Sequence, residues 1–333
     1  MKRYRIRQLD LIRMICTWGI FIFHFFVNRS SLFGTVGTHG GYTGGIFVAV
    51  FFMLSGYCLM LTSSEIRTNY FVKRALAIYP AFWIAYMFYY MQRVFYTGTL
   101  FWDTSIKNVS IIESIVGVDG LLAIHGLKNY YLVGEWFLGA ILFLYLLYPI
   151  LLMLIRKSKL MFAIVIYSLY GLEMLIDKTN SSFFKVGTDY NLLTCMCCFG
   201  TGMLLKHILE LCNMRFWVLV GSITVICGFF VPNGTICNIC LGLGIFILNF
   251  FISPAFLKID GIYKIVNFFS SISYPFFLIH HQIIESNSAI YEKNLLIAYI
   301  FVLTITIVYA WCLSQVAKIL TQKISNIVNF TKE

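Results

Sequence analysis

Arg13 and His24 bracket an otherwise largely apolar run, RMICTWGIFIFH. At 100° per residue, eleven steps return a helix to within roughly 20° of its starting face. The 1.5 Å rise separates the two Cα atoms by about 16 Å along that face, a large part of a bilayer's apolar core. Asp10 and Thr17 extend the polar stripe. A guanidinium is a permanent cation suited to phosphates and oxyanions, and an imidazole is a general base that titrates near neutral pH. Ionisable groups in one stripe of a membrane helix are costly, and they point to chemistry or transport rather than simple spanning. Each residue alone has a plainer reading: Arg13 as a snorkelling anchor near a helix end, with Asp10 as its partner, and His24 as a core histidine bonded to a neighbouring helix.

Further groups join this pair. The segment FFMLSGY places Ser55, Gly56 and Tyr57 mid-helix, where small residues admit a substrate or, equally, the backbone of a packed helix. Lys73 and Arg74, in FVKRALAIYP, stand at the mouth of another helix ahead of Pro80 and serve as a phosphate site or as topological anchors. Glu135 and Trp136 open GEWFLGAILFLYLLYP, which also holds Tyr145 and Pro149. Such a Trp ordinarily belongs to an interfacial belt. SISYPFFLIHHQIIE ends with His280, His281 and Glu285, the last two one helical turn apart, so that the three could gather on the side of His24.

The elements that position these residues are membrane helices. Of 333 residues, 60% are hydrophobic and 12% charged, and the mean hydropathy is +0.83, which excludes a soluble single-core domain. Apolar runs of spanning length fall at 9–27, 43–62, 74–96, 134–155, 159–176, 191–207, 214–231, 234–252, 266–285 and 295–317. They predict an all-α polytopic protein of about ten transmembrane helices. A β-barrel would alternate polar and apolar residues, and these runs do not. With the N-terminus inside, only Arg29, Arg93, Lys107, Lys128, Lys178, Lys185 and Lys293 of the 25 Lys and Arg fall outside. Both termini are therefore expected in the cytoplasm. The net charge of +11 reads as topology signal and contact with anionic lipid, not nucleic-acid binding, because no soluble basic domain is present.

The basic start followed by an apolar run superficially resembles a secretory signal, but Arg13 and His24 interrupt it and no small-residue cleavage site follows, so it is read as the first helix. The ten cysteines lie almost entirely within predicted spans as small apolar side chains, and no disulfide framework is expected. Cys195, Cys197 and Cys198 cluster without a histidine or acid at ligand spacing, so no metal site is assigned. No linker divides the chain, which reads as a single membrane domain over 1–333 with no soluble appendage. The segment from Thr97 to Val133 contains IIESIVGVDGLLAI, too short to span, and is expected to cover a site on the outer face. Sequons at Asn28, Asn108, Asn180, Asn233 and Asn329 occur in an Asn-rich chain and read as chance.

Together these motifs resemble the membrane-bound acyltransferase-3 family over nearly the whole length. The match rests on Arg13 and His24 with ten residues between them, on Ser55 to Tyr57, on the basic entry ending at Pro80, on the Trp136, Tyr145 and Pro149 spacing, and on the segment ending at His280. The resemblance implies an O-acyltransferase of the cell membrane that takes acetyl or another small acyl group from cytosolic acyl-CoA and places it on a hydroxyl of a surface or extracellular polysaccharide. It implies Arg13 and His24 as the active pair, with His24 the general base. Ser55, Gly56, Tyr57, Lys73 and Arg74 would serve the donor and acyl path, and Glu135, Trp136, His280, His281 and Glu285 the acceptor side. Acetyl-CoA is then a substrate, with no permanently bound cofactor, and polysaccharide-assembly proteins are candidate partners. Two departures stand out. Ala77 replaces a second Arg, leaving donor phosphates to Lys73, Arg74 or Arg67, and Ile141 replaces a Glu for which Glu135 could substitute. An acyl-enzyme stays open, as do a transporter or flippase relaying through Arg13 and His24 and a non-catalytic scaffold.

Overall fold

The computed structural model describes residues 6–26, 43–62, 69–180, 183–287 and 294–327. Arg67, the sequons at Asn28 and Asn329, and the basic residues Lys2, Arg3, Arg5, Arg29, Lys293 and Lys332 lie outside them. Among the described residues all regular structure is helical. Ten long helices carry the fold: α1 (Arg7–Phe26), α2 (Thr43–Thr62), α3 (Tyr70–Thr97), α6 (Glu135–Lys157), α7 (Lys159–Thr179), α8 (Leu192–Ile208), α9 (Met214–Phe230), α10 (Gly234–Ile252), α12 (Asp260–Ser286) and α13 (Leu295–Ile327). Short helices α4 (Ile111–Val116), α5 (Asp119–Ile124) and α11 (Pro254–Leu257) complete the order.

Each long helix coincides with one apolar run, but the expectation of ten crossings narrows. Among the described residues seven helices, α1, α2, α6, α7, α10, α12 and α13, are both long and apolar enough to cross a membrane. With 17 residues each, α8 and α9 reach about 26 Å, short of a core of ~30 Å. Length is not the limit for α3, at 28 residues, which is diluted by tyrosines and by Lys73, Arg74, Gln92 and Arg93. Helix starts follow local chemistry. The side chains of Ser158, Asn191, Asn213 and Asn233 each accept a backbone N–H in the first turn of α7, α8, α9 and α10, satisfying donors that the helix itself cannot. The sequon residue Asn233 is thus a helix cap.

The chain forms two compact units, Met1–Glu65 with Leu147–Ser271 and Ile66–Leu146 with Ile272–Glu333. In the first, α2 and α8 cross at backbone contact. A Cβ built on Gly56 would fall on the Phe199 carbonyl oxygen, and one on Gly202 on that of Met53. This reciprocal pair is small-residue packing of the kind membrane helices use. Nearby, Tyr57 is buried with its ring against Phe246 and Phe250 at 5.6 and 5.7 Å between centroids.

In the second unit, one face of α3 anchors the segment that follows it. Tyr79, Trp83, Tyr86 and Tyr90 donate to the carbonyls of Val116, Ile115, Tyr130 and Leu100 at 2.8–3.0 Å. Their spacing of four, three and four residues is a helical stripe. The tyrosines that lower the hydropathy of α3 are the handles that fold residues 98–134. Within that segment Asp119 is 1% exposed. Burial is the larger influence and pushes its carboxyl up to about 6, while hydrogen bonds from Ser114 and the Gly120 N–H pull the other way.

Candidate functional site

The first unit holds the predicted stripe on α1. Asp10 is 3% exposed and takes Tyr263 Oη on Oδ2 at 2.9 Å and Ser270 Oγ on Oδ1 at 3.0 Å. Arg13 Nη1 lies 3.4 Å from Asp10 Oδ1 and 3.2 Å from Ser270 Oγ. A buried carboxylate is tolerated only with such donors, so the network both stabilises Asp10 and fixes the guanidinium. Arg7 extends the network, donating to the Leu257 carbonyl at 2.7 Å with its guanidinium 4.3 Å from the Tyr263 ring centroid. Arg13 is therefore a held residue and not a snorkelling anchor. Thr17 donates to the Arg13 carbonyl at 2.9 Å, so its hydroxyl serves its own helix. His24 sits in the last turn of α1, half-buried, with its ring edge-on to Phe23 at 5.1 Å.

The donor-path residues divide. Ser55 donates to the Phe51 carbonyl at 2.8 Å, and Gly56 and Tyr57 are occupied in packing, so these three shape α2. Lys73 is exposed in the first turn of α3. Arg74 lies 5.9 Å from the Tyr145 ring centroid, and its buried Nε has no hydrogen-bond partner among the described residues. That donor is available to an anion.

The second unit collects the predicted acceptor group. Glu135, the first residue of α6, follows Gly134 at φ +88° and itself adopts φ +46°. This conformation costs a non-glycine residue about 1–3 kcal/mol and is retained only where surroundings impose it. The carboxylate sits at the positive end of the α6 dipole. Its Oε1 is 3.3 Å from His280 Nε2 and 4.0 Å from His281 Nε2, and His281 Nδ1 is 3.3 Å from Glu285 Oε1. His280 is 1% exposed, and its Nδ1 lies 2.7 Å from the Phe277 carbonyl, to which it can only donate. Nε2 therefore faces the Glu135 carboxylate. Trp136 flanks it, half-buried, with its ring 6.5 Å from Phe137. Gln282 donates to the Leu132 carbonyl at 2.9 Å, tying α12 to the strained corner.

A family model described as an acyltransferase domain, acyltransferase-3, matches residues 6–315. The chain belongs to the acyltransferase-3 family. No curated protein and no solved structure matches it. As a family member the chain is a membrane acyltransferase, and the matched stretch runs through both compact units and both residue clusters. Sequence reasoning singled out Asp10, Arg13 and the Glu135, His280, His281 and Glu285 group but missed Tyr263 and Ser270. They share a face of α12 at a spacing of seven, yet their partner Asp10 is some 250 residues away and leaves no local signal.

Proposed function

We propose that this acyltransferase moves acetyl, or a similarly small acyl group, from cytosolic acyl-CoA to a hydroxyl of a surface or extracellular polysaccharide at the cell membrane. The observation that carries the reading is α1 itself: one continuous helix with a guanidinium clamped by Asp10 and Ser270 near its start and an imidazole at its end. Because about 16 Å separates the two Cα atoms, Arg13 and His24 act on different parts of the reaction. Arg13 serves the phosphates of the donor. His24 serves the chemistry. It removes the acceptor proton as the hydroxyl oxygen attacks the thioester carbonyl; the C–S bond then breaks, and the imidazolium returns the proton to the departing CoA thiolate. The products are the ester and free CoA-SH. Glu135, His280, His281 and Glu285, with Trp136, bind the acceptor. Polysaccharide-assembly proteins are the proposed partners.

The test supplies labelled acetyl-CoA and glycan fractions to the full chain in lipid nanodiscs. Label on the glycan, lost in His24→Ala of unchanged elution profile, is expected. An unchanged rate in the variant would overturn the assignment of His24, and glycan transport into vesicles without ester formation would overturn the reaction.

A further inference from the structure

The left-handed backbone of Glu135, at φ +46°, lies against a neighbouring element of the second unit, α5. A Cβ built on Gly120, the second residue of α5, would lie 2.5 Å from both the carbonyl carbon and the carbonyl oxygen of Glu135 and 2.9 Å from the Trp136 nitrogen. Those atoms belong to the backbone and cannot swing aside. About one turn along α6 the contact repeats, because a Cβ on Gly139 would lie 2.6 Å from Leu121 Cβ and 3.4 Å from Val118 Cα. Two glycines, one on each helix, let α5 rest on the first turn of α6 at a distance closed to any side chain.

The approach to this corner is fixed separately. Asn129 donates from Nδ2 to the Asp119 carbonyl at 2.7 Å and accepts the Tyr131 N–H on Oδ1 at 3.2 Å, which ties the start of α5 to the chain entering α6. Gln282 ties that same chain to α12 through the Leu132 carbonyl. The Tyr131 phenol reaches the corner as well: burial first, and then the carboxylates of Glu135, Asp119 and Glu285, push it well above a phenol's ordinary range, while the Glu135 N–H pulls the other way. With the incoming chain tied to α12 and the outgoing peptide seated on Gly120, the φ of Glu135 decides where its carboxylate points relative to His280 and His281, which α12 carries.

We propose that Gly120 is a positioning residue of the acyltransferase: by seating α5 on the Glu135–Trp136 peptide it keeps Glu135 left-handed and its carboxylate 3.3 Å from His280 Nε2. The effect on transfer rests on the acceptor role proposed for Glu135 and His280; the effect on the aim of the carboxylate does not. A misplacement of about 1 Å in such a group costs on the order of a hundredfold in rate.

The test records the carbon-13 signals of histidine Cε1 by NMR on the full chain in nanodiscs, alongside steady-state acetyl transfer. The His280 and His281 signals, assigned through His280→Gln and His281→Gln, are expected to move in Gly120→Ala towards their positions in Glu135→Gln. Adding Gly120→Ala to Glu135→Gln should move them no further. Transfer should fall about tenfold or more in kcat, with KM for acetyl-CoA changed by less than about twofold. Where Gly120→Ala fails to fold, Asn129→Ala, which removes both ties without adding an atom, should shift the same two signals in the same direction. Gly126→Ala is the control for a merely structural role. Gly126 lies in the same segment at φ +82° with open space around it, so the substitution strains the backbone and should lower the Tm while leaving the two signals in place. Unmoved His280 and His281 signals in Gly120→Ala of unchanged elution profile, or equal movement in Gly126→Ala, would overturn the proposal. Moved signals with transfer unchanged in Gly120→Ala and Glu135→Gln alike would leave the positioning standing and overturn the acceptor role of Glu135.

Discussion

Asp10 shows how a residue legible in the sequence gains its role from residues that are not. Its i, i+3 relation to Arg13 is local and readable, but the donors that make its burial tolerable, Tyr263 and Ser270, come from the far end of the chain. Asp10→Ala leaves a clamped cation without its counter-ion, and about 3 kcal/mol of stability should be lost. Thermal unfolding in detergent reads this as a lower Tm, and an unchanged Tm would show that the network contributes nothing. The outcome at Ser55, Gly56 and Tyr57 was hidden for a related reason. A serine that bonds its own helix and a glycine that seats a neighbouring backbone look the same in sequence as residues lining a path. Glu135 was visible as an acid beside a Trp, whereas its left-handed backbone and its contact with His280 are tertiary facts.

At the scale of elements, apolar runs marked all ten long helices because burial in lipid or protein demands them. They did not reveal how residues 98–134 fold, since α4 and α5 have six residues each and are held by α3. Trp83→Phe removes one of those anchors and should release about 1 kcal/mol locally, seen as faster hydrogen exchange confined to that segment. Asp119 gives the segment a pH dependence whose sign follows from burial. Its carboxyl is raised from 3.8 to about 6, so the folded segment binds its proton more tightly than the unfolded one. Stability contributed by the protonated form is complete below about pH 4, declines as pH rises through the window to about 6, and is level above it. Exchange corrected for intrinsic pH effects should be slower at pH 4 than at pH 7. Asp119→Asn should abolish the difference and stabilise the segment at pH 7 by about 2 kcal/mol. At the α2–α8 crossing, Gly56→Ala must push two backbones apart and should cost about 2–3 kcal/mol in thermal unfolding; a neutral result would mean the helices do not meet there.

At the scale of the whole molecule, the two compact units share two continuous helices, α6 and α12, and one family domain of acyltransferases spans both. Two polar clusters among the described residues are the Asp10–Arg13 network of the first unit, which includes Ser270, and the Glu135–His280 group of the second. The central claim is that α1 separates donor binding from chemistry along its length. Steady-state kinetics with acetyl-CoA as the varied substrate tests it most directly, comparing Arg13→Gln with His24→Gln. The account predicts that Arg13→Gln raises KM for acetyl-CoA tenfold or more with kcat largely kept, while His24→Gln lowers kcat at least a hundredfold with KM little changed. Equal losses in the same parameter from both substitutions would contradict it.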